Sequence, residues 1–139
     1  MQNTQRIYLS EYDADQLRTL ISTLDKRNLA DRTYAMSLEN EVNRAEILPS
    51  SDIPDEIVRM NSRVQLTDLD TGNVLELQVV YPSDADFDDG KISVLSPIGT
   101  ALLGYRVEDV IMWDVPGGTR RLKIDKMLHQ PEAVGGFFQ

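Results

Sequence analysis

Residues 91–118, KISVLSPIGTALLGYRVEDVIMWDVPGG, decide the fold of this 139-residue chain. Ser96 is a preferred helix N-cap, and Pro97 suits the first helical turn, where a missing N–H costs nothing. Gly104 is placed to end that helix, because glycine adopts the left-handed conformation without strain. Apolar residues predict a buried strand end and a buried helix face: Ile92, Val94, Leu95, Ile98, Ala101, Leu102 and Leu103. The stretch therefore predicts a strand followed directly by a capped helix.

A period close to two on both sides of this helix predicts a sheet. Strands are expected at Val58–Leu66, Val74–Tyr81, Asp109–Val115 and Thr119–Leu128, with turns at Asp70–Asn73 and Pro116–Gly118 and an acidic loop at Pro82–Gly90. The inward positions give a predicted core of Val64, Leu77, Val79, Ile92, Val94, Leu102, Leu103, Val110 and Leu122. The second half of the chain is thus expected to be a sheet with one short helix packed on it.

The beginning of the chain shows helical spacing instead. Ser10 and Asp13 stand in a capping-box arrangement, with Asp in place of the usual Glu. Two apolar runs follow at helical spacing, first Leu17, Leu20, Ile21 and Leu24, then Ala35, Leu38, Val42 and Ala45. Asp31 is predicted to cap a second helix that runs to about Leu48. Two helices with one apolar stripe each and a short connection predict an antiparallel coiled-coil hairpin.

The composition bounds the class of protein. Prolines at 49 and 54 separate two parts, so we expect an α+β protein with a hairpin at 1–48, a linker at 49–53 and a sheet domain at 54–139. The net charge of −9 argues against DNA or RNA as a direct ligand, because neutralising phosphates needs Lys and Arg. No apolar run is long enough for a membrane helix and no signal-peptide pattern is present, so a cytoplasmic location is expected.

Residues with metal chemistry are sparse. His129 is the only histidine and there is no cysteine, which excludes the usual zinc sites. The acidic loop carries Asp84, Asp86 and Asp88 at the first ligand positions of a calcium loop, yet Asp89 stands where the sharp turn needs glycine. No metal and no cofactor are therefore predicted.

Four short motifs resemble the C-terminal domain of the Gre transcript-cleavage factors: Ser96-Pro97-Ile98, Ala101–Gly104, Glu108–Val110 and Pro116–Gly118. Within that superfamily the chain is similar to the Rnk family, through Met60–Val64, Val80–Pro82, Pro97–Gly99 and Gln130–Ala133. The resemblance implies an FKBP-like domain that binds bacterial RNA polymerase at its secondary channel, and we expect a monomer. In Gre factors, the loop equivalent to Ser96, Pro97 and Ile98 contacts a coiled coil of the largest polymerase subunit. These residues, with their neighbour Gly99, are the expected binding site.

The helical hairpin decides whether cleavage activity is expected. In Gre factors, a long hairpin carries two acids at its tip that help hold the magnesium ion for RNA cleavage, and Asp25 and Asp31 are the candidates here. A first helix of about 21 Å, at 1.5 Å per residue, should stop short of the catalytic metal. The leading interpretation is therefore a non-enzymatic regulator that competes with Gre-type factors. A cleavage-competent Gre-type factor and an interaction module unrelated to polymerase stay open as alternatives.

Overall fold

A computed structural model describes residues 6–25, 27–115 and 117–129 of the chain. The helices are α1 (Glu11–Thr23), α2 (Leu29–Arg44) and α3 (Pro97–Leu102), and short 3₁₀ turns lie at Ser50–Asp52, Pro82–Asp84 and Phe87–Asp89. The strands are β1 (Tyr8–Ser10), β2 (Glu46–Leu48), β3 (Arg63–Asp68), β4 (Val74–Val80), β5 (Lys91–Ser93), β6 (Val110–Val115) and β7 (Gly118–His129). The predicted match at Gln130–Ala133 lies outside the described residues. Among the described helices, none is long and apolar enough to cross a membrane.

Five strands form one sheet in the order β5-β4-β3-β7-β6. All neighbouring pairs are antiparallel except β4 and β5, which run parallel, so the acidic loop between them returns along the sheet edge. Val64 lies opposite Leu77 on β4 and opposite Met127 on β7. Because side chains alternate between the two faces along each strand, these apolar residues share one face of the sheet. The mixed helix and sheet class agrees with the prediction.

The apolar face of the sheet, α3 and the two N-terminal helices share one continuous core. Most of the predicted core residues are buried, namely Val64, Val79, Ile92, Val94, Leu102, Leu103 and Leu122. Leu77 and Val110 are only half-buried. The apolar stripes of the helices are also confirmed, since Leu17, Ile21, Ala35, Leu38 and Val42 are buried in the same core. The predicted domain boundaries at 48 and 54 stay a prediction. A shared core does not tell whether the two parts can fold independently.

The caps of the first two helices are partly as expected. The Ser10 side chain accepts a hydrogen bond from the Asp13 N–H at 3.0 Å, which confirms the predicted N-cap of α1. The prediction that Asp31 caps α2 is wrong. Asn28 is the N-cap, and its side chain accepts from the Asp31 N–H at 3.2 Å. Asn and Asp are about equally good caps, so residue preference alone does not choose between the two positions.

The second helix also ends earlier than predicted, at Arg44 rather than near Leu48. Residues 46–48 instead form β2, which pairs in parallel with β1. The Glu46 N–H donates to the Ile7 carbonyl at 3.0 Å, so the end of α2 gives way to main-chain pairing with a distant segment. Apolar spacing does not reveal such pairing, because the ladder uses main-chain groups.

Gly104 holds this small two-stranded sheet against α3. Its φ is +86°, as predicted for a glycine that follows a helix, and its carbonyl accepts from the Tyr8 N–H at 3.1 Å. A Cβ at this position would come within 2.9 Å of the Ile7 Cβ. The residue therefore ends α3 and at the same time allows β1 to approach.

The strand predicted at Val58–Leu66 begins only at Arg63. Asn61 has a φ of +72°, and the Ser62 side chain accepts from the Arg59 N–H at 2.8 Å, so the chain turns before β3. Asn is one of the few residues that adopts this conformation readily. Met60 and Ser62 on either side of Asn61 are buried, and the Met60 N–H donates to Asp13 of α1, so the turn joins the helices to the sheet.

Candidate functional site

The predicted binding segment Ser96–Gly99 is the tightly bonded start of α3. The Ser96 hydroxyl accepts from the Gly99 N–H at 3.1 Å and donates to the Ser93 carbonyl at 2.6 Å. The Thr100 hydroxyl donates to the Val94 carbonyl at 2.6 Å. These bonds confirm the predicted cap and join the helix start to the end of β5. The segment is consequently a rigid corner at the edge of the sheet.

The four residues differ in what they can offer a partner. Pro97 is exposed and Ser96 is half-buried, whereas Ile98 is 8% exposed and packs in the core. Gly99 is buried, and a Cβ there would clash with the Ser93 carbonyl. The exposed surface of this corner therefore consists of Pro97 and part of Ser96, while Ile98 and Gly99 set its shape from below.

The acidic loop lies on the same edge of the sheet. Its Asp86 pairs with Lys91 in an isolated bridge, and Asp89 lies 3.5 Å from the Lys91 ammonium group. Phe87 projects from it with 85% of its surface exposed. Within the described residues, no group of three or more His, Cys, Asp or Glu side chains is placed to hold a metal ion.

The predicted tip residues Asp25, between α1 and α2, and Asp31, in the first turn of α2, contact each other through a main-chain group. One Asp31 carboxylate oxygen accepts from the Asp25 N–H at 3.3 Å. The Asp25 carboxylate accepts from the Arg27 N–H at 3.0 Å and from its guanidinium at 3.1 Å. These two bonds, the main-chain one foremost, lower the pKa of Asp25. Both carboxylates therefore already serve local donors within the tip.

A polar junction between α1 and the sheet was missed by the sequence reasoning. Asp13 is 7% exposed, and its carboxylate accepts from the Met60 N–H at 3.2 Å. Burial raises the pKa of Asp13, while the Met60 N–H and the charge of Arg59 oppose that rise. Arg59 is also buried and donates to the Ser50 carbonyl. The capping-box spacing from Ser10 predicted a capping role for the Asp13 side chain, and nothing local signals a partner 47 residues away.

A second polar contact joins α2 to the residue after Gly104. The Arg44 guanidinium donates to the Tyr105 hydroxyl at 2.6 Å and to the Glu41 carboxylate at 3.0 Å. Tyr105 is 1% exposed, and burial raises its pKa to about 12. Together with the Asp13 contact, this bond attaches each helix to the sheet part through a separate buried group.

Comparison with known families agrees with this architecture. A family described as "Transcription elongation factor, GreA/GreB, C-term" matches residues 53–127, which contain the sheet and α3. The chain belongs to the GreA/GreB superfamily. A second family, described as "Rnk N-terminus", matches residues 5–48, which contain the two helices and the β1–β2 pair. This superfamily member is thus an Rnk-type chain, with an Rnk N-terminal part joined to a GreA/GreB C-terminal domain.

Two relatives match this Rnk-type chain over nearly its whole length. It is 35% identical over 132 residues to the "Regulator of nucleoside diphosphate kinase" of Escherichia coli (strain K12), covering 94% of this chain and 95% of that protein. A structure titled "Prokaryotic transcription elongation factor GreA/GreB from Nitrosomonas europaea" superposes with a TM-score of 0.72 at 35% identity, over 91% of this chain and all of that one.

The full-length GreA factors are related over a shorter region. Identity to the "Transcription elongation factor GreA" of Thermotoga neapolitana is 36% over 89 residues, which is 64% of this chain and 56% of that protein. The Rnk-type chain therefore spans about half of such a factor.

Proposed function

We propose that this protein is a bacterial transcription regulator that binds RNA polymerase near the secondary channel and competes there with Gre-type factors without promoting transcript cleavage. The docking partner is the coiled coil of the largest polymerase subunit, and the docking corner is formed by Ser96 and Pro97 above Ile98 and Gly99. The protein acts as a cytoplasmic monomer that makes no direct contact with nucleic acid. Its helices act as a short antiparallel coiled-coil hairpin on an FKBP-like domain.

The observation that carries the proposal is the hairpin tip. The first helix has 13 residues, or about 20 Å at 1.5 Å per residue. At its end, the Asp25 and Asp31 carboxylates already bind donors of the tip itself. A helix of this length is too short to carry Asp25 and Asp31 deep into the secondary channel of polymerase. Their carboxylates are also already hydrogen-bonded, which disfavours metal binding by the pair. The family assignment supports polymerase as the partner, and the tip supports the absence of cleavage.

One observation favours the alternative of a cleavage factor. The Asp31 carboxylate lies 3.3 Å from the Asp25 main-chain nitrogen, so both acids lie at the same tip of the hairpin. The deciding measurement is cleavage of backtracked RNA by polymerase with this protein as the sole added factor. We expect no cleavage above the rate of polymerase alone. Added cleavage that disappears in the double variant Asp25→Asn, Asp31→Asn would establish the alternative instead.

Polymerase docking is tested by pull-down with core RNA polymerase, with and without a Gre-type factor as competitor. Pro97→Ala should weaken binding with little loss of stability, because Pro97 is exposed. Pro49→Ala is the matched control, since Pro49 is also exposed and also adjoins a short helical turn. If Pro97→Ala and Pro49→Ala bind polymerase equally well, Pro97 only starts a helix and the docking corner lies elsewhere.

A further inference from the structure

One buried arginine connects three separate parts of the chain. Arg59 is 6% exposed and lies just before β3, which begins at residue 63. Its guanidinium donates to the carbonyl of Ser50, nine positions back in the 3₁₀ turn that follows β2. Burial lowers the pKa of Arg59, and the negative charge of Asp13 in the first turn of α1 opposes that change. Arg59 thus links the linker, the first helix and the entry to the sheet.

The main chain around Arg59 is held as firmly as its side chain. Its N–H donates to the Ser62 hydroxyl at 2.8 Å, and its carbonyl accepts from the Ser62 N–H at 3.1 Å. Between them, the Asn61 N–H donates to a main-chain carbonyl of β4 at 2.6 Å, and the Met60 N–H donates to the Asp13 carboxylate at 3.2 Å. We call residues 59–62 the junction turn, because it is bonded to the sheet on one side and to α1 on the other.

Stability alone does not account for the buried charges at this turn. The Arg59 Nε is buried and has no hydrogen-bond partner within the part of the chain that the structure describes. Burial disfavours both charged forms, since it lowers the pKa of Arg59 and raises the pKa of Asp13. Replacing such a pair by apolar groups of similar size is often neutral or stabilising. What the charged groups supply is direction, because hydrogen bonds constrain an angle and apolar contacts do not.

The junction turn holds the helical part at a second place. The Tyr8 N–H and the Arg44 guanidinium both donate to groups of the short segment Gly104–Tyr105. A rigid body that is held at one place is still free to pivot about it. The Asp13 carboxylate binds the junction turn instead, so the helices are held by directed bonds at two separate segments of the sheet part.

We propose that Asp13 and Arg59 are positioning residues that fix the direction of the α1–α2 hairpin relative to the docking corner. With the corner docked, that direction decides where the hairpin tip lies against polymerase. This use rests on the proposed function, whereas the fixed direction itself is a property of the free protein.

Distances between two spin labels test the proposal without polymerase. The chain has no cysteine, so Leu29→Cys at the start of α2 and Val74→Cys on β4 give two unique labelling sites on exposed residues. The labelled protein should show one narrow distribution of distances. Adding Asp13→Leu together with Arg59→Met removes both buried charges at once. The width of the distribution should then about double or more, because a repacked apolar contact loses its unique arrangement before it loses stability.

Arg63→Met is the matched control for this measurement. Arg63 is also shielded from solvent in part and also donates to a main-chain carbonyl, that of Asp89, but this contact lies within the sheet part. Its distribution should be as narrow as that of the labelled protein without further changes. An unchanged width in the double variant, or equal broadening in the control, overturns the inference and leaves the proposed function intact. Failure to bind polymerase would overturn the proposed function and leave this result as it stands.

Amide hydrogen exchange of the unsubstituted protein covers a double variant that fails to fold. The Met60 N–H donates to the Asp13 carboxylate, so its exchange reports separation of α1 from the junction turn. The Val79 N–H donates to the Ser62 carbonyl at 3.2 Å within the sheet part and serves as the reference. We expect the two amides to be protected to within about tenfold of each other, and faster exchange at Met60 overturns the inference, because the helices would then open from the junction turn by themselves.

Discussion

At the scale of a single residue, Asp13 shows how burial and partnership compete. Its carboxylate lies under the turn before β3, where one main-chain N–H and the nearby charge of Arg59 favour the ionised form. Loss of water favours the protonated form and is the largest influence, so the pKa lies above 3.8. Because the folded state binds the proton more tightly than the unfolded state, Asp13 contributes less stability as the pH rises through its folded pKa.

The variant Asp13→Asn tests that balance. Asparagine keeps an oxygen for the Met60 N–H and does not titrate, so the free energy of unfolding of the variant should rise relative to wild type as the pH increases from about 3.8 upward. Urea denaturation at a series of pH values measures this difference. Asp15→Asn is the control, because Asp15 is an exposed neighbour on the same helix. If the wild type gains stability over the variant with rising pH, pairing with Arg59 outweighs burial.

At the scale of the element, local chemistry predicted the centre of the fold well. Ser96, Pro97 and Gly104 each demand a particular backbone position, and the structure places α3 between them as expected. The β1–β2 pair could not be predicted, because its hydrogen bonds join main-chain groups far apart in the sequence. The true end of α2 was missed for the same reason.

The candidate site also has parts that local sequence predicts and parts that depend on residues far apart in the chain. The cap by Ser96 follows from its hydroxyl and its position before a proline, so it was predictable. The contacts of Asp13 with the Met60 N–H and of Arg44 with Tyr105 join residues 47 and 61 positions apart, and no spacing in the sequence brings them together. Whether Pro97 touches polymerase is a property of the partner as well as of this chain, and that stays a prediction.

The contact of Gly104 with β1 gives a test at this scale. Gly104→Ala and Gly72→Ala both force a side chain into a left-handed conformation, at φ +86° and +79°. Each should lose about 1–2 kcal/mol of stability from that conformation. Only the Gly104 variant also places its Cβ against Ile7, while the Gly72 Cβ would meet nothing within 4 Å. The Gly104 variant should therefore lose about 1–3 kcal/mol more, as measured by urea denaturation. Equal losses would mean that β1 adjusts freely.

At the scale of the whole molecule, the two family regions behave as one packed body. Their buried residues form a single apolar cluster, and three separate polar contacts cross between them, at Asp13, Arg44 and Gly104. Such packing favours all-or-none unfolding, although the two regions match different families.

Cooperative unfolding can be measured with two probes that report different parts. Far-ultraviolet circular dichroism follows mainly the helices, and the fluorescence of Trp113 follows the far end of the sheet. In urea, the two transitions should share one midpoint and one slope. Two separate midpoints would show that the helical part and the sheet part unfold independently, as the boundaries at 48 and 54 suggest.

The bond between Tyr8 and Gly104 has a consequence for synthesis on the ribosome. The two residues are 96 positions apart (104 − 8), so β1 leaves the ribosome long before its partner in the chain exists. At about 5–20 residues per second, that wait lasts roughly 5–20 s. During this time β6 and β7 do not yet exist, so the apolar stripes of both helices have no complete sheet to cover them. Nascent chains paused before residue 104 should therefore be good clients for chaperones, and release of the chain through β7 should end that dependence, because β7 lies between β3 and β6 in the sheet.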